Sequence, residues 1–273
     1  MKMNRRSFIG AAAGLGGITL AATTLSPTPI LALKPKNAML IDVSKCIGCL
    51  RCIQACAEYH KKYYKQETDG TVFTKVPMAT MEYGQRPTPQ NCLHCIDAPC
   101  ATVCQSKALE QLESGAVVYH EDRCIGCFLC TTVCPFESIT TDLENKKIFK
   151  CDLCSKITEN GGAPSCVTIC PTQSKTWGPY EEKVKEAQEI AERNKGKMLY
   201  ANDATVIYVL TDYEYEQLMK APEVTVIKPE YPAEYKWYSL LTKWSRVLWI
   251  PFLAGAVLSG LTWRKGKGEK KVE

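Results

Sequence analysis

The chain has 273 residues and a formal net charge of +5, and it contains 16 cysteines, a high number for an ordinary globular protein of this length. It is long enough for one large domain or two smaller ones. Much of the positive excess lies at the two ends, and the sequence shows no clustered basic face of the kind that binds nucleic acid. The composition therefore argues against a nucleic-acid partner and makes the cysteines the main question.

Residues 1–33 have the pattern of an export signal. Arg5 and Arg6 precede an uncharged, weakly apolar segment from Phe8 to Leu25. A paired arginine before such a segment is typical of the twin-arginine pathway, which carries proteins that have already folded. We therefore expect the cysteines to acquire their partners in a reducing compartment. A chance arginine pair before a membrane anchor is the alternative.

All the cysteines fall into four quartets, and the first and third follow the C-x2-C-x2-C-x3-C spacing of bacterial ferredoxins. The quartets are Cys46, Cys49, Cys52, Cys56; Cys92, Cys95, Cys100, Cys104; Cys124, Cys127, Cys130, Cys134; and Cys151, Cys154, Cys166, Cys170. Two residues between cysteines let a tight loop turn both sulfurs toward one cluster, and Gly48 and Gly126 permit the close backbone approach. The last cysteine follows about one helical turn later and reaches a second cluster.

Three other uses of cysteine fit this spacing less well. Disulfides would require cysteines two residues apart to find distant partners repeatedly. A structural zinc site closes with four ligands, which triplets followed by a fourth cysteine do not match. Covalent haem requires C-x-x-C-H, and no histidine follows any C-x-x-C pair in the chain. Iron–sulfur clusters are the remaining interpretation.

An internal repeat supports it. The segment MLIDVSKCIGC before the first quartet matches VVYHEDRCIGC before the third. We predict an α+β fold of two tandem ferredoxin-like dicluster modules, at about 38–104 and 116–170 within a domain at 38–178. Short strands lead into the cysteine loops and short helices follow them. His94, inside the second quartet, is expected either to donate a hydrogen bond toward a cluster or to pack, whereas His60 and His120 have no recognisable constellation.

The spacer and the extension carry weaker signals. Residues 57–91 are basic and aromatic, and predict either a surface insertion or a docking site for a catalytic subunit. Residues 179–235 predict a helix and a strand for subunit contacts. The helix has Val184, Ala187 and Ala191 inward and Gly196 as its stop, and a buried strand covers 205–210.

The C-terminal end predicts a membrane helix. Within residues 236–264 an uncharged run from Val247 to Trp263 is about 26 Å long as a helix, near the lower limit for a bilayer. Tryptophans mark its predicted interfaces, and the basic tail at 265–273 predicts a cytoplasmic C-terminus with the cysteine domain outside. A buried core helix is the alternative.

The quartets, their order and their spacers resemble those of the four-cluster iron–sulfur subunits of molybdopterin oxidoreductase and uptake-hydrogenase complexes. The resemblance covers about residues 38–178, and the x4 spacer of the second quartet and the x11 spacer of the fourth are its most specific parts. The two ends resemble the hydrogenase-2-type and formate-dehydrogenase-type subunits with a C-terminal membrane helix. The resemblance implies four [4Fe–4S] clusters. The spacing alone also allows a pairing in which each cluster is bound by cysteines of a single module.

The ligand sets that the resemblance implies cross between quartets. They are site 1 (Cys46, Cys49, Cys52, Cys170), site 2 (Cys56, Cys151, Cys154, Cys166), site 3 (Cys92, Cys95, Cys100, Cys134) and site 4 (Cys104, Cys124, Cys127, Cys130).

The implied function is electron transfer without catalysis, because no nucleophile–base pair, phosphate loop or open metal position is visible in the sequence. The chain would relay single electrons between an extracytoplasmic catalytic subunit and a quinone-linked or cytochrome b-type membrane subunit. The catalytic subunit would be a NiFe hydrogenase or a molybdenum or tungsten formate dehydrogenase. The alternatives are a sulfur-compound reductase and a multihaem cytochrome-linked complex. The C-terminal helix would contact membrane lipid.

Overall fold

A computed structural model describes residues 35–227 of the chain. The predicted export signal, membrane helix and basic tail lie outside these residues. Between residues 35 and 227, no helix is long and apolar enough to cross a bilayer.

Short strands and helices alternate along the described residues, as the sequence predicts. The strands are β1 (Asn37–Asp42), β2 (Thr74–Lys75), β3 (Met78–Met81), β4 (Gly84–Pro87), β5 (Gln90–Asn91), β6 (Leu109–Gln111), β7 (Val117–Tyr119), β8 (Ile139–Asp142), β9 (Lys147–Lys150), β10 (Lys175–Pro179), β11 (Gly196–Leu199) and β12 (Val206–Thr211). The α-helices are α1 (Arg51–Tyr64), α2 (Pro99–Thr102), α3 (Leu129–Thr132), α4 (Ser155–Thr158), α5 (Ser165–Thr168), α6 (Tyr180–Arg193) and α7 (Asp212–Leu218). Two 3-10 turns cover Val43–Lys45 and Glu121–Arg123.

A four-stranded sheet joins the beginning of the described chain to its end, in the strand order β10-β1-β12-β11. β1 pairs with β12 in parallel and with β10 antiparallel, and β11 pairs with β12 antiparallel. The helix and strand predicted as an extension are therefore continuous with the cysteine domain. β12 confirms the predicted buried strand, and its side chains alternate between two covered faces.

Each face of the sheet contacts a different layer. Leu40 and Ile207 pack against Ala187 and Ile190 of α6. Met39 and Tyr208, on the other face, pack into the cysteine-bearing body of the domain. Burial of each such side chain contributes about 2 kcal/mol. The sheet therefore holds the first and last cysteine loops against one rigid layer.

Helix α6 confirms the predicted amphipathic helix, but its predicted stop is wrong. The helix ends at Arg193, and Gly196 instead begins β11, opposite Thr211. A Cβ at Gly196 would lie 2.2 Å from the backbone oxygen of Leu210. Glycine is present because the two strands approach closely here. In the sequence, such a glycine cannot be distinguished from one that caps the end of a helix.

The 57–91 spacer is only partly a surface insertion. α1 continues through its first residues and buries Tyr59 and His60, and Phe73, Val76 and Ala79 are also buried. The tip of the β3–β4 hairpin is exposed, with Tyr83 83% accessible. The spacer therefore packs in part against the cysteine domain, and it exposes both this hairpin and the end of α1 at Lys61, Lys62 and Tyr63.

Candidate metal centres

The two CIGC loops have the same backbone conformation. In each, a strand and a 3-10 turn lead into the first cysteine, Cys46 or Cys124. Gly48 and Gly126 have φ of +68° and +70°, and the residues after the second cysteines, Leu50 and Phe128, are also left-handed. The sequence repeat therefore forms a repeated loop.

A left-handed residue occupies the third position of the first C-x2-C loop of each quartet. Gly48 and Gly126 do so in the first and third quartets, and His94 (φ 49°) and Leu153 (φ 58°) do so in the second and fourth. A left-handed conformation costs a non-glycine residue about 1 kcal/mol or more. The shared backbone geometry is thus a property of all four loops, and glycine reveals only two of them in the sequence.

The quartets are nested in space. Helix α1, which follows the first quartet, packs against α5 of the fourth, and α2 of the second packs against α3 of the third. Sites 1 and 2 then combine the first and fourth quartets, and we name them the outer pair. Sites 3 and 4 combine the second and third quartets, and we name them the inner pair.

The outer pair brings its thiols together in two groups. A cavity is lined by all four cysteines of site 1, which are Cys46, Cys49, Cys52 and Cys170. Cys56, from the first quartet, interacts electrostatically with Cys151, Cys154 and Cys166 of the fourth, which completes site 2. Both groups mix cysteines from the two ends of the domain.

The inner pair is arranged in the same way. A second cavity is lined by the four cysteines of site 3, which are Cys92, Cys95, Cys100 and Cys134. Cys130 interacts with Cys104, Cys124 and Cys127, the other members of site 4. Each of the four groups thus combines cysteines from two quartets, as the resemblance implies, and ligation of a cluster by each group stays a prediction.

Thiols of successive sites also interact, which gives the sites an order. Cys166 of site 2 interacts with Cys52 of site 1, Cys151 of site 2 with Cys92 of site 3, and Cys100 of site 3 with Cys130 of site 4. The sites therefore follow one another as 1, 2, 3 and 4.

The solvent exposure of the cysteines changes from site 1 to site 4. The cysteines of sites 1 and 4 are all exposed or partly exposed, and Cys49 and Cys127 are the most open to solvent. The cysteines of sites 2 and 3 are buried, apart from the partly buried Cys134. The row has a buried centre and two ends that reach the surface.

The donor set fits iron–sulfur clusters. All sixteen cysteines are free of disulfides. Within residues 35–227, no three His, Cys, Asp or Glu side chains converge on a point that one metal ion could occupy. Four thiolates around a [4Fe–4S] cluster each bind a separate iron atom, so they do not need to converge in this way.

Burial controls the protonation of these thiols. It raises the pKa of Cys56 and Cys151, and it raises the pKa of Cys100 to about 12. Metal binding at these positions must therefore displace protons. At Cys104 burial also raises the pKa, but hydrogen bonds from the Ser106 hydroxyl and from the backbone of Leu109 and Ala108 outweigh it, and the net pKa is lowered.

The same pattern of donors surrounds Cys170, the last cysteine of the fourth quartet. Burial raises its pKa, but hydrogen bonds from the Lys175 backbone, the Thr172 hydroxyl and the Ser174 backbone lower it overall. Hydrogen bonds to ligand sulfurs are a principal means by which proteins tune iron–sulfur clusters.

Sequence reasoning missed a buried network around Asp152. The Asp152 carboxylate accepts hydrogen bonds from the hydroxyls of Tyr59 and Tyr64, both at 2.7 Å, and from the backbone of Cys154 at 2.9 Å. The Asp152 carboxylate therefore links α1 to the C-x2-C loop of site 2 by hydrogen bonds. The aromatic residues in AEYHKKYY were a signal of it, although nothing in the sequence connects them to Asp152.

The histidines also differ from expectation. His60 is buried, stacks on Phe73 with ring centroids 3.5 Å apart, and lies 4.0 Å from Asp152, so the prediction that it has no constellation is wrong. His120 Nε2 lies 3.1 Å from a Glu110 carboxylate oxygen. His94 is fully buried and lines the site 3 cavity; its Nδ1 accepts a hydrogen bond from Val117 at 2.9 Å. Its Nε2 has no hydrogen-bond partner among the described residues.

Comparison with known proteins gives the same chemistry. A family model described as a 4Fe–4S dicluster domain matches residues 84–179. One subunit of sulfite dehydrogenase from Allochromatium vinosum is 32% identical over 182 residues, which cover 58% of this chain and 75% of that subunit. One chain of polysulfide reductase from Wolinella succinogenes is 33% identical over 147 residues, 52% of this chain and 76% of that one.

A third relative is the iron–sulfur subunit of the nitrate-inducible formate dehydrogenase of Escherichia coli, which is 31% identical over 188 residues, 63% of each chain. These matches confirm the predicted cofactor type and electron-transfer role. The chain belongs to the family of iron–sulfur electron-transfer subunits with a 4Fe–4S dicluster domain, and it binds multiple [4Fe–4S] clusters.

Proposed function

We propose that this chain holds four [4Fe–4S] clusters at sites 1 to 4 and relays single electrons between a catalytic subunit and a membrane subunit. The observation that carries the proposal is the ordered row of thiol groups, with a buried centre and an exposed thiol at each end. Such a row suits a chain that receives electrons from one partner and passes them to another.

When bound, the clusters supply one-electron carriers whose potentials depend on hydrogen bonding and burial. The chain holds them, spaces them and excludes water. Phe136 and Leu93 pack with Cys134 and Cys95 in the core, and Ala98 packs with Cys100. This apolar packing keeps solvent from site 3. We propose that the chain is not itself catalytic.

The surface at both ends supports docking of partners. Near site 1, Ile47 and Leu50 are 64% and 51% exposed, and near site 4, Ile125 and Leu129 are 68% and 45% exposed. Exposed apolar side chains beside a partly open thiol group are typical of a protein–protein contact. Each end would contact one partner.

The catalytic partner would be a molybdopterin enzyme or a NiFe hydrogenase, and its substrate formate, hydrogen or a sulfur compound. The names of the three relatives include sulfite dehydrogenase, polysulfide reductase and formate dehydrogenase, which supports formate or a sulfur compound as the substrate. The metal in the partner distinguishes these alternatives.

We also propose that the cysteine domain works on the extracytoplasmic side. The paired arginines of residues 1–33, the apolar run within 236–264 and the basic tail support an exported, membrane-anchored chain with its C-terminus in the cytoplasm. The membrane partner would be a quinone-linked or cytochrome b-type subunit.

Metal analysis of the complex, isolated anaerobically from the native membrane in mild detergent, tests the proposal. We expect about sixteen iron atoms per chain after subtraction of the partners' iron. Molybdenum or tungsten in the co-purifying large subunit would identify a molybdopterin partner, and nickel would identify a hydrogenase. About eight iron atoms per chain would contradict the four-cluster account.

A further inference from the structure

Two lysines are buried inside the cysteine body. Lys150 and Lys175 are each 3% exposed, and they are the buried lysines of residues 35–227. Lysine is almost never fully buried unless its charge is compensated. Within the described residues, neither forms an ion pair with a carboxylate.

Most of their hydrogen-bond partners are neutral, and the exception is the Cys92 side chain, to which Lys150 also donates. Lys150 Nζ donates to the backbone oxygens of Val117 and Cys151, both at 2.7 Å. Lys175 Nζ donates to Asn91 Oδ1 at 2.7 Å. These bonds orient the ammonium groups without cancelling their charge, so the compensating negative charge must come from the cysteine thiolates.

Each lysine lies at the junction between two successive sites. Lys175 interacts electrostatically with Cys52 of site 1 and with Cys166 and Cys56 of site 2. Lys150 interacts with Cys92 and Cys100 of site 3 and with Cys151 of site 2. Within residues 35–227 no buried lysine remains for the junction between sites 3 and 4.

We propose that Lys175 and Lys150 are positioning charges that favour the reduced state at sites 1, 2 and 3, with site 4 outside their influence. The inference rests on the proposed ligation of the four sites. Charge interacts strongly over short distances in a dry interior. An electron that leaves one site arrives at its neighbour, no covalent bond changes, and the ammonium between them keeps its protons.

The test is a redox titration of the intact complex by electron paramagnetic resonance, with iron measured on every preparation. Lys175→Met should lower the ratio of reduced to oxidised form at sites 1 and 2 by about tenfold at a fixed solution potential, and Lys150→Met should do so at sites 2 and 3. Neither should change site 4. Cys49→Ala and Cys127→Ala identify the signals of sites 1 and 4 by their loss.

Lys146→Met is the matched control, because Lys146 is exposed and borders Gly126 of a CIGC loop. Solvent screens its charge, so the titration should not change. A wild-type chain without about sixteen iron atoms would contradict the proposed function itself. Four intact clusters with unchanged titrations in Lys175→Met and Lys150→Met would overturn this inference alone.

If a lysine variant loses iron, an arginine variant that restores the positive charge still tests the inference. If Lys175→Met loses iron and Lys175→Arg keeps both its iron and the wild-type titration, the positive charge is what the sites require. If Lys175→Arg and Lys175→Met lose iron equally, the lysine acts through packing and its bond to Asn91, and the inference is wrong.

Discussion

The outer and inner pairs of sites start from the same CIGC loop, but the chain continues differently after it. In the outer pair, α1 runs for 14 residues, whereas α3 in the inner pair has four. Pro135 follows Cys134 and disfavours helix at that point, and Ala57 follows Cys56 and allows the helix to continue. The extra turns carry Tyr59 and Tyr64 to Asp152.

The difference shows that nearby residues determine the conformation of the loop, whereas distant residues determine what packs around it. The loop backbone depends on residues within the motif, so it is nearly identical in both places. The surroundings of the loop depend on distant residues. The outer pair gains a four-stranded sheet and a buried carboxylate network, while the inner pair gains two-stranded hairpins and contacts the sheet at the start of β12. We therefore expect the two pairs to respond differently to equivalent substitutions.

The largest effect should come from Asp152→Ala in the outer pair. It leaves the Tyr59 and Tyr64 hydroxyls and the Cys154 N–H without their buried acceptor. The free energy of unfolding should fall by about 3 kcal/mol, which lowers the midpoint temperature of visible bleaching by about 10 °C.

Asp142→Ala is the control in the inner pair, because Asp142 accepts a comparable hydrogen bond from Asn145 at 3.0 Å in an exposed turn. Its midpoint should fall by about 2 °C or less. Equal shifts for both variants would show that the network has no special role in the outer pair.

A smaller contrast is expected between the two loop glycines. Alanine at either position costs about 1 kcal/mol or more for its left-handed backbone. At Gly126 the new Cβ would also lie 2.7 Å from the backbone oxygen of Lys146, whereas at Gly48 it would lie 2.9 Å from the Pro87 side chain. Gly126→Ala should therefore lose more iron than Gly48→Ala, measured per chain. The reverse order would contradict this packing argument.

The smallest effect is expected for Tyr64→Phe. The variant loses one hydrogen bond to Asp152, and Tyr59 keeps its own. The cost should be about 1 kcal/mol, a fall of about 3 °C in the bleaching midpoint. Tyr63→Phe is the matched control, since Tyr63 is 39% exposed, and it should leave the midpoint unchanged. A shift as large in Tyr63→Phe would mean that the buried bond contributes little.

The sequence was sufficient for the local features. Cysteine spacing identified the loops, and the matched segments before Cys46 and Cys124 predicted their common structure. Apolar periodicity also located α6 and β12. Each of these signals depends on residues close together in the chain.

The long-range features were not visible in the same way. Spacing allowed either nested or within-repeat sites, because the choice depends on β10 returning to pair with β1. The burial of Lys150 and Lys175 and the contact of Tyr59 with Asp152 also depend on residues that lie far apart in the chain. The prediction that Gly196 ends α6 was wrong because a glycine after a helix marks either a helix end or a close contact between strands.

The most direct test of the nested arrangement compares iron content in two double variants of the anaerobically isolated complex. If Cys49 and Cys170 share site 1, then Cys49→Ala with Cys170→Ala removes ligands from one cluster and leaves about twelve iron atoms per chain. Cys49→Ala with Cys104→Ala removes ligands from two clusters and leaves about eight. The opposite result, about eight in the first variant and about twelve in the second, would contradict the nested account and favour sites confined to each repeat.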